Sequence, residues 1–380
     1  MTNSTRPQIQ IKEVINDKDL RLFIRFPKHL YKHCPYYVPS LESEDWKTLK
    51  HHPAKAFCEI RMWLAFQDTK AVGRIAGIIN HKCNALKQQQ RIRFAWFDTI
   101  NDTEVASALF NVVENWGREQ KLLEISGPSR FSNMEKQGML IYGFNRMPPI
   151  SAEYNFPYYP QILENLDYQK EVDYIQYKVA MGPIPEKITR LYEYISKKHK
   201  VKIQEFKHKK DMIPYGKKMF LALNQSYSDI YNFIPLSDTE IDYMIKNNFI
   251  FLDKDLVNIL VDENNKMVGF SLCMPSLSKA FRKANGKLFP FGWYHLLKAM
   301  QKNDEVDLYF TGVLPQHSGK GFHLLYHYKL HTTFIKKGYV FANATQQLEY
   351  NAAHHIWEEY DSKIVFKRRC YLKNLHPLIK

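Results

Sequence analysis

The sequence predicts an α/β protein made of two similar halves, each with a mixed, mostly antiparallel sheet flanked by helices. Segments with the alternating apolar residues of strands are interspersed with segments whose apolar residues recur at helical spacing. A hairpin with a Val-Gly pair at Gly73 in the first half has a counterpart at Gly269 in the second. Leu163–Asp167 and Trp357–Asp361 also match at nearly the same spacing, which indicates an internal duplication.

In the first half, the sequence pattern predicts helices that alternate with strands. Asp17 and Asp102 are residues of the type that caps a helix, and Val105, Leu109 and Trp116 follow Asp102 at helical spacing. Helices are predicted to begin near residues 17 and 102 and to cover 158–166, with strands over 8–14, 60–66, 71–80, 93–99, 122–127 and 172–179.

Met181–Pro185 contains two prolines and a glycine, which predicts a boundary between a domain of residues 1–180 and one of residues 181–380. The second domain repeats the order of elements of the first. Predicted helices cover 187–197, 213–226, 238–244, 321–337 and 351–360, and predicted strands cover 201–206, 256–261, 267–273, 305–313, 340–344 and 364–372. Asp238 is predicted to cap the third of these helices.

The composition, with 45% apolar and 24% charged residues, is that of a folded protein rather than a disordered or fibrous one. Five scattered cysteines argue against a disulfide framework and against a cysteine zinc site. No apolar run approaches the ~18 residues of a membrane span, and residues 1–10 lack the core of a signal peptide. The sequence therefore predicts a cytoplasmic protein.

The formal net charge is +15, and most of the excess lies after residue 180. Such an excess favours a phosphate-bearing cofactor, an anionic lipid or a nucleic acid as partner, although solvated lysines on helix faces would give the same count. The basic patches at 207–210 and 367–369 are short, so binding to nucleic acid is not predicted. The pairs 51–52 and 354–355 are adjacent histidines that point to different faces, so no metal site is predicted.

One segment between a predicted strand and a predicted helix has the composition of an anion site. Gly319 and Gly321 permit tight turns and a close approach of backbone to a ligand. We expect the amides from His317 to Gly321 to point outward at the helix start, where free N–H groups and the helix dipole attract phosphate. Lys320 adds positive charge. For a Gly-x-Gly pair alone, an ordinary turn is the alternative.

Together with the residues before it, this segment resembles the pyrophosphate loop, Arg/Gln-x-x-Gly-x-Gly/Ala, of the GNAT superfamily of N-acetyltransferases. The resemblance covers about residues 200–375, and the whole chain is similar to bacterial proteins with two GNAT folds in tandem. Some of those relatives are thought to be long-chain acyltransferases that act on sphingoid bases. The resemblance implies that acetyl-CoA or a longer acyl-CoA binds to Val313, Gln316, His317, Ser318, Gly319, Lys320, Gly321 and Asn351.

The resemblance also implies catalytic roles. In the family, a strand carboxylate removes the proton from the amine, and Asp307 matches that position, with a structural salt bridge as the alternative. The alternation of side chains along a strand predicts that Asp307 lies on the same face as Tyr309 and Val313. The usual tyrosine, which protonates the leaving thiolate, is replaced by Trp357. Tyr360, one turn on, is therefore the expected acid, or else a core aromatic. The N–H of Val313 is expected to polarise the thioester carbonyl.

The first half resembles a second GNAT fold without the loop. After the strand 93–99, residues 100–105 contain no glycine and two carboxylates, Asp102 and Glu104, and acids at that helix start would repel a pyrophosphate. We therefore expect this half to bind no CoA and to shape the cleft. In the second half an insertion over 275–303 mixes basic and aromatic residues. It suits a lid over the acyl site, a contact with a membrane interface, or a surface helix with its own core.

These features predict an acyl-CoA-dependent N-acyltransferase that moves an acyl group to an amine. The aromatic insertion and the basic second half favour a long-chain or sphingoid-type lipid amine. Peripheral contact with the inner face of the membrane follows from the same insertion. Because the usual acid is missing, a non-catalytic acyl-CoA sensor or scaffold is the alternative. No metal is expected to take part.

Overall fold

The computed structural model describes residues 8–375, and the chain divides into two units, which are treated separately. Unit 1 consists of Met1–Tyr174, Ser278–Trp293 and Phe366–Lys380, and unit 2 of Ile175–Leu277 and Tyr294–Val365. The units differ from the sequence halves because two segments of the second half belong to unit 1. The boundary after residue 180 stays a prediction for the two repeats.

The first part of the chain contains the strands and helices of unit 1. Its helices are α1 (Asp17–Leu30), α2 (Glu42–His51), α3 (His81–Leu86), α4 (Thr103–Glu119) and α5 (Tyr159–Asn165). Its strands are β1 (Ile9–Glu13), β2 (Cys58–Gln67), β3 (Lys70–Asn80), β4 (Arg91–Thr99), β5 (Glu124–Gly127) and β6 (Met139–Tyr142), followed by β7 (Gln169–Ala180), which continues into unit 2.

The rest of the chain contains the elements of unit 2 and the insertion. The helices are α6 (Glu186–Lys198), α7 (Ile213–Ser226), α8 (Asp238–Asn248), α9 (Ser278–Ala284), α10 (Gly292–Gln301) and α11 (His323–Lys337). The strands are β8 (Lys202–Gln204), β9 (Val257–Val261), β10 (Met267–Pro275), β11 (Glu305–Val313), β12 (Phe341–Asn343), β13 (Gln347–Leu348) and β14 (Ser362–Asn374).

The sheet of unit 1 follows the order β1-β2-β3-β4-β5 and then residues 366–374 of β14. Its neighbours are antiparallel except for β4 and β5, which are parallel. The apolar face of α4 contributes Val105, Leu109 and Trp116 to the core on this sheet. The helical spacing that predicted α4 is therefore the spacing of its buried face.

The sheet of unit 2 begins with residues 175–180 of β7 and continues as β12-β11-β10-β9-β8. The parallel pair is β11 with β12, and the other pairs are antiparallel. α11 contributes Leu324, Leu330 and Phe334 to the core of unit 2. It ends at Gly338, whose φ of 77° is a left-handed conformation that favours glycine.

Both units contain the predicted repeat of hairpin, antiparallel strand, helix and parallel strand. In unit 1, Gly73 pairs with Thr99 at the end of β4, and in unit 2, Gly269 pairs with Val313 at the end of β11. Each of these strand pairs also shifts register once, at a bulge before that end. Thr99 and Val313 are therefore equivalent positions in the two repeats.

Two predicted helix caps are wrong by one residue. Asn16 rather than Asp17 caps α1, and Ser237 rather than Asp238 caps α8. Each aspartate is instead the first helical residue, where its charge favours the helix dipole. The segment predicted as helix 351–360 is a 3-10 helix over Ala352–Glu359.

Candidate functional site

The candidate site of unit 2 begins where β11 separates from β12. The two strands pair from Glu305 opposite Phe341 to Asp307 opposite Asn343, and β11 then continues to Val313 beyond the end of β12. A strand that runs past its neighbour has backbone N–H and C=O groups that a ligand can satisfy. The end of β11 is therefore a place for polar contacts with a bound molecule.

The amide of Val313 points away from β10, on the side where β12 has already ended. The amide of Leu314 donates to the carbonyl of Val268 at 3.0 Å. Hydrogen bonding alternates from residue to residue along an antiparallel pair, so the preceding N–H points to the other side of the strand. The carbonyl of Val313 accepts a hydrogen bond of 3.2 Å from the hydroxyl of Ser226. The geometry thus leaves an N–H donor at the predicted position.

The loop after β11 contains both glycines in left-handed conformations. Gly319 has a φ of 74° and Gly321 a φ of 75°. A Cβ on Gly321 would lie 2.7 Å from Cδ1 of Ile195, whereas a Cβ on Gly319 would meet no atom within 4 Å. Gly321 is required by packing as well as by conformation, and Gly319 borders open space.

Some of the amides predicted to face a ligand are already used. The amides of His317 and Ser318 each donate to a carbonyl three residues earlier, at 2.8 and 3.0 Å, and so form a 3-10 turn. Within the described chain, no backbone carbonyl accepts from the amides of residues 319–321, and α11 begins at His323 without a side-chain cap. The prediction of outward amides is therefore wrong for His317 and Ser318.

Lys320 supplies positive charge at the loop, and its Nζ lies 3.4 Å from Nδ1 of His317. Partial burial and this ammonium lower the pKa of His317, so its imidazole is neutral near pH 7. Gln316 is exposed in the same turn. Asn351 precedes the last 3-10 helix, and its carbonyl accepts from the amide of His354 at 3.1 Å. The contacts of these residues with a cofactor stay predictions.

Asp307 lies at the paired end of β11 and is 3% exposed. Its Oδ1 accepts a hydrogen bond of 2.8 Å from the side-chain amide of Asn343. Burial raises the pKa of Asp307 to about 6 despite hydrogen bonds from the side chains of Asn343 and Ser276. A carboxyl group that titrates just below neutral pH suits a general base.

Asn343 and Lys178 are functional candidates that the sequence did not reveal. Nδ2 of Asn343 also donates to Oε2 of Glu305 at 3.1 Å, and Nζ of Lys178 lies 3.1 Å from Oε1 of that glutamate. These contacts orient the amide that holds Asp307. They join strands that are far apart in sequence, so no local pattern marks them.

A bulge changes the orientation predicted for Asp307. β11 has one more residue than β10 between two paired positions, so Tyr309 has no residue opposite it. An extra residue reverses the alternation of side chains beyond it. Accordingly, Leu308 and Val313 pack against the same core, although an uninterrupted strand would place them on opposite faces. The prediction that Asp307 and Val313 share a face is therefore wrong.

Tyr360, the predicted acid, is half-buried among other rings. Its ring stacks on His331, with centroids 5.6 Å apart, and lies 6.5 Å from the ring of Trp357. Burial raises its pKa to about 12. His331 lies about 12 Å along α11 from the first residue of that helix, at 1.5 Å per residue. The contacts of Tyr360 therefore lie two turns from the glycine loop, and its role stays a prediction.

Two further tyrosines lie close to the end of β11. The hydroxyl of Tyr227 donates to the carbonyl of Thr311 at 3.0 Å, and burial raises its pKa to about 12. Tyr326 is buried, which raises its pKa, and it hydrogen-bonds the side chain of the same threonine. Both phenols thus lie at a residue two before Val313. Each is a candidate proton donor that the sequence did not reveal.

In unit 1 the equivalent donors are occupied by the chain itself. The N–H of Thr99, at the position that matches Val313, donates to the hydroxyl of Tyr159 at 2.9 Å. The carboxylate of Asp102 accepts from two amides at the start of α4, at 2.9 and 3.3 Å. The groups that would bind a thioester oxygen and a pyrophosphate therefore already have partners.

The insertion contributes one packed helix and one exposed segment. The first part belongs to unit 1, where the carbonyl of Gly286 accepts from the amide of Glu42 at 2.9 Å and the hydroxyl of Ser278 donates to the carbonyl of Pro148 at 2.8 Å. In the part that follows, Leu296 is buried, but five other large apolar side chains are each between 45% and 79% exposed, namely Phe289, Phe291, Trp293, Tyr294 and Leu297. No helix in the described chain is long and apolar enough to cross a membrane.

Within residues 8–375, no group of three or more His, Cys, Asp or Glu side chains is arranged to hold a metal ion.

A scan against models of protein families finds no match. Among curated proteins, the chain is 26% identical over 300 residues to Protein YghO of Escherichia coli strain K12, across 78% of this chain and 76% of that protein. It is 26% identical over 303 residues to the bacterial ceramide synthase of Caulobacter vibrioides, across 78% and 77% of the two chains.

Solved structures are similar over nearly the whole chain. A tandem GNAT protein from the clavulanic acid biosynthesis pathway aligns with a TM-score of 0.56 at 7% identity, over 97% of this chain and 99% of that one. A GCN5-related N-acetyltransferase from Sphaerobacter thermophilus aligns with a TM-score of 0.53 at 10% identity, over 99% of both. At such identities the likeness establishes the fold alone. The predicted resemblance is thereby confirmed, and the chain has the tandem GNAT fold, with mixed, mostly antiparallel sheets flanked by helices.

Proposed function

We propose that unit 2 binds acyl-CoA and transfers its acyl group to an amine. The observation that carries the proposal is the Val313 N–H, which lies beyond the end of β12 and before a loop in which no described backbone carbonyl accepts from the amides of residues 319–321. The loop amides and Lys320 would bind the pyrophosphate of CoA. The thioester would then lie along the open edge of β11, with its carbonyl oxygen at the Val313 amide.

The proposed reaction is a direct transfer between two bound substrates. Asp307 removes a proton from the ammonium group of the acceptor through a chain of water molecules, because six residues of extended strand separate it from Val313. The amine nitrogen then attacks the thioester carbon, and the Val313 N–H stabilises the charge that develops on the oxygen. The carbon–sulfur bond breaks, the thiolate takes a proton from Tyr360 or from one of the phenols at Thr311, and the second proton that the nitrogen loses as it becomes an amide restores that phenol. An amide and free CoA are the products.

We propose a lipid amine, long-chain or sphingoid in type, as the acceptor. The exposed apolar segment 289–297 supports this, because large apolar side chains in water favour a lipid surface. Basic residues precede and follow it, namely Arg282, Lys283, Lys287 and Lys298. The relative named as a bacterial ceramide synthase is compatible with such an acceptor. The protein would then act at the inner face of the membrane as a peripheral protein.

Wild-type protein should bind to vesicles that contain phosphatidylglycerol and bind less to vesicles of phosphatidylcholine alone. The double substitution Phe289→Ser and Phe291→Ser should weaken this binding by at least about tenfold, since each ring that enters the interface contributes about 1.5–3 kcal/mol when fully buried. Cosedimentation measures the bound fraction. Ile15→Ser is the matched control, because Ile15 is 81% exposed and lies outside the segment. Equal binding by the double variant and wild type would contradict the membrane contact.

The reaction itself is tested by mass spectrometry after incubation with acyl-CoAs of different chain length and a panel of amines. We expect an amide product, with long-chain acyl groups and lipid amines giving more of it than acetyl-CoA and small amines. If only small amines gave a product, the proposed acyltransferase activity would stand, and the proposal of a lipid amine as acceptor would be overturned. Tight CoA binding without any product would favour the acyl-CoA sensor, for which the loss of the usual tyrosine at Trp357 is the supporting observation.

A further inference from the structure

Unit 1 contains a cavity with a strongly charged lining that the proposed acyl transfer does not use. Five basic and four acidic side chains line it, and they come from α1, α2, β3, β4 and the segments after β5. The basic residues are Arg25, Lys28, Arg74, Arg130 and Lys136, and the acidic residues are Glu42, Asp45, Asp98 and Glu153.

All four carboxylates in this lining have basic partners. Asp98 binds Arg74 at 2.7 Å, and Glu153 binds Arg130 closely enough that its pKa is lowered to about 2 in spite of burial. The remaining ion pairs are Arg25–Glu42, Lys28–Glu42 and Arg130–Asp45. Negative charge in the cavity is therefore already balanced by the chain.

Lys136 is the basic residue without such a partner. Its Nζ donates to the hydroxyl of Ser40 at 2.8 Å, and no carboxylate among the described residues forms an ion pair with it. Burial, and then the charge of Arg130, lower the pKa of Lys136, and the nearby charges of Glu153 and Asp45 offset this shift only in part. An ammonium group in a desolvated place without a counter-ion is costly, and a bound anion would remove that cost.

Two further groups at the cavity have unused donors. Tyr37 stacks on Tyr31 with ring centroids 4.5 Å apart, and its hydroxyl has no hydrogen-bond partner within residues 8–375. Burial and the charge of Asp98 raise its pKa, so the hydroxyl keeps its proton and can donate. The side chain of Arg130 is 9% exposed, and its buried Nε also lacks a partner. Donors without acceptors indicate a ligand that accepts hydrogen bonds.

We propose that this cavity binds a small molecule through an oxyanion, a carboxylate or a phosphate, that accepts hydrogen bonds from Nζ of Lys136 and the hydroxyl of Tyr37. The surplus of one positive charge in the lining matches one such group. The four carboxylates around it disfavour a ligand with several negative charges. Unit 1 would thus have a binding site of its own, separate from the acyl-CoA loop of unit 2.

The experiment measures binding of inorganic phosphate and of acetate to the full chain by calorimetry and by the rise in melting temperature, at matched ionic strength. We expect at least one of the two anions to bind. Lys136→Met should weaken that binding by about tenfold or more, because it removes a charged hydrogen bond. Its melting temperature without anion should not fall, since it also removes an unpaired buried charge. Tyr37→Phe gives a second, milder loss.

Two controls separate this site from others. Lys18→Met removes an exposed lysine at the start of α1 and should leave anion binding unchanged. Lys136→Met is also made in the Gly319→Glu background, in which the loop of unit 2 is proposed to bind no phosphate; it should still weaken the remaining anion binding, so the result does not depend on the proposed acyltransferase. Three outcomes would overturn the proposal. Anion binding could persist in both Lys136→Met and Tyr37→Phe, it could disappear only in Gly319→Glu, or neither phosphate nor acetate could bind to the wild-type protein.

Discussion

Gly319→Glu should abolish CoA binding while the chain still folds. The Cβ position at Gly319 has no atom within 4 Å, so the new side chain fits, but it places a carboxylate where the pyrophosphate is proposed to bind. The left-handed φ of 74° adds a strain of about 1–2 kcal/mol. We expect the dissociation constant of CoA, measured by calorimetry, to rise by at least about 100-fold, which corresponds to about 2.7 kcal/mol.

Gly338→Glu is the matched control for this substitution. Gly338 has a φ of 77° and the same open surroundings, but it lies at the opposite end of α11. The variant has the same strain and the same added charge, so it should bind CoA like wild type.

Wild type should bind one CoA per chain, because the equivalent donors of unit 1 are occupied. If Gly319→Glu still bound one CoA per chain at a second site, the interpretation that unit 1 binds no CoA would be refuted. If its affinity for CoA equalled that of wild type, the assignment of the pyrophosphate to the loop at residues 319–321 would be refuted.

The features that the sequence predicts well are local ones. The bounds of β11 and α7 are predicted to the residue. Gly319 and Gly321 are identified by residue type, and both adopt the left-handed conformation that makes glycine necessary. The capping carboxylate of Asp102 likewise follows from its position before α4.

The features that the sequence does not predict depend on pairing between distant segments. The bulge at Tyr309 is a matter of register between β10 and β11, and no residue type marks it. Asn343 reaches Asp307 only because β12 lies beside β11. Tyr159 reaches the amide of Thr99 from α5, 60 residues along the chain. The last strand of the sheet in unit 1 is part of β14, so the halves of the sequence cannot coincide with the units.

Asp307→Asn should lower kcat by about 10²–10⁴-fold, the range typical for loss of a general base, with little change in KM for acyl-CoA. The new side chain keeps an oxygen that can accept from Asn343, so the geometry of the site is preserved. Burial raises the pKa of Asp307, so its charged form destabilises the folded protein at pH values above that pKa. The neutral variant should therefore melt no lower than wild type near pH 7, and lost activity cannot then reflect unfolding.

The pH dependence of the rate distinguishes a base from a structural carboxylate. A base acts when deprotonated, so wild-type activity should fall as the pH decreases through about 6, the pKa of Asp307, and level off above it. Asp307→Asn should lose that limb, and its residual rate should rise with pH as solvent supplies more free amine. Initial rates of CoA thiol release between about pH 5 and 9 give both profiles, with Asp242→Asn, an exposed aspartate on α8, as the matched control. Equal rates for Asp307→Asn and wild type near pH 7 would exclude Asp307 as the base and leave Glu305 or a water chain for that role. The assignment of the CoA-binding loop would not be affected, because it depends on residues 319–321.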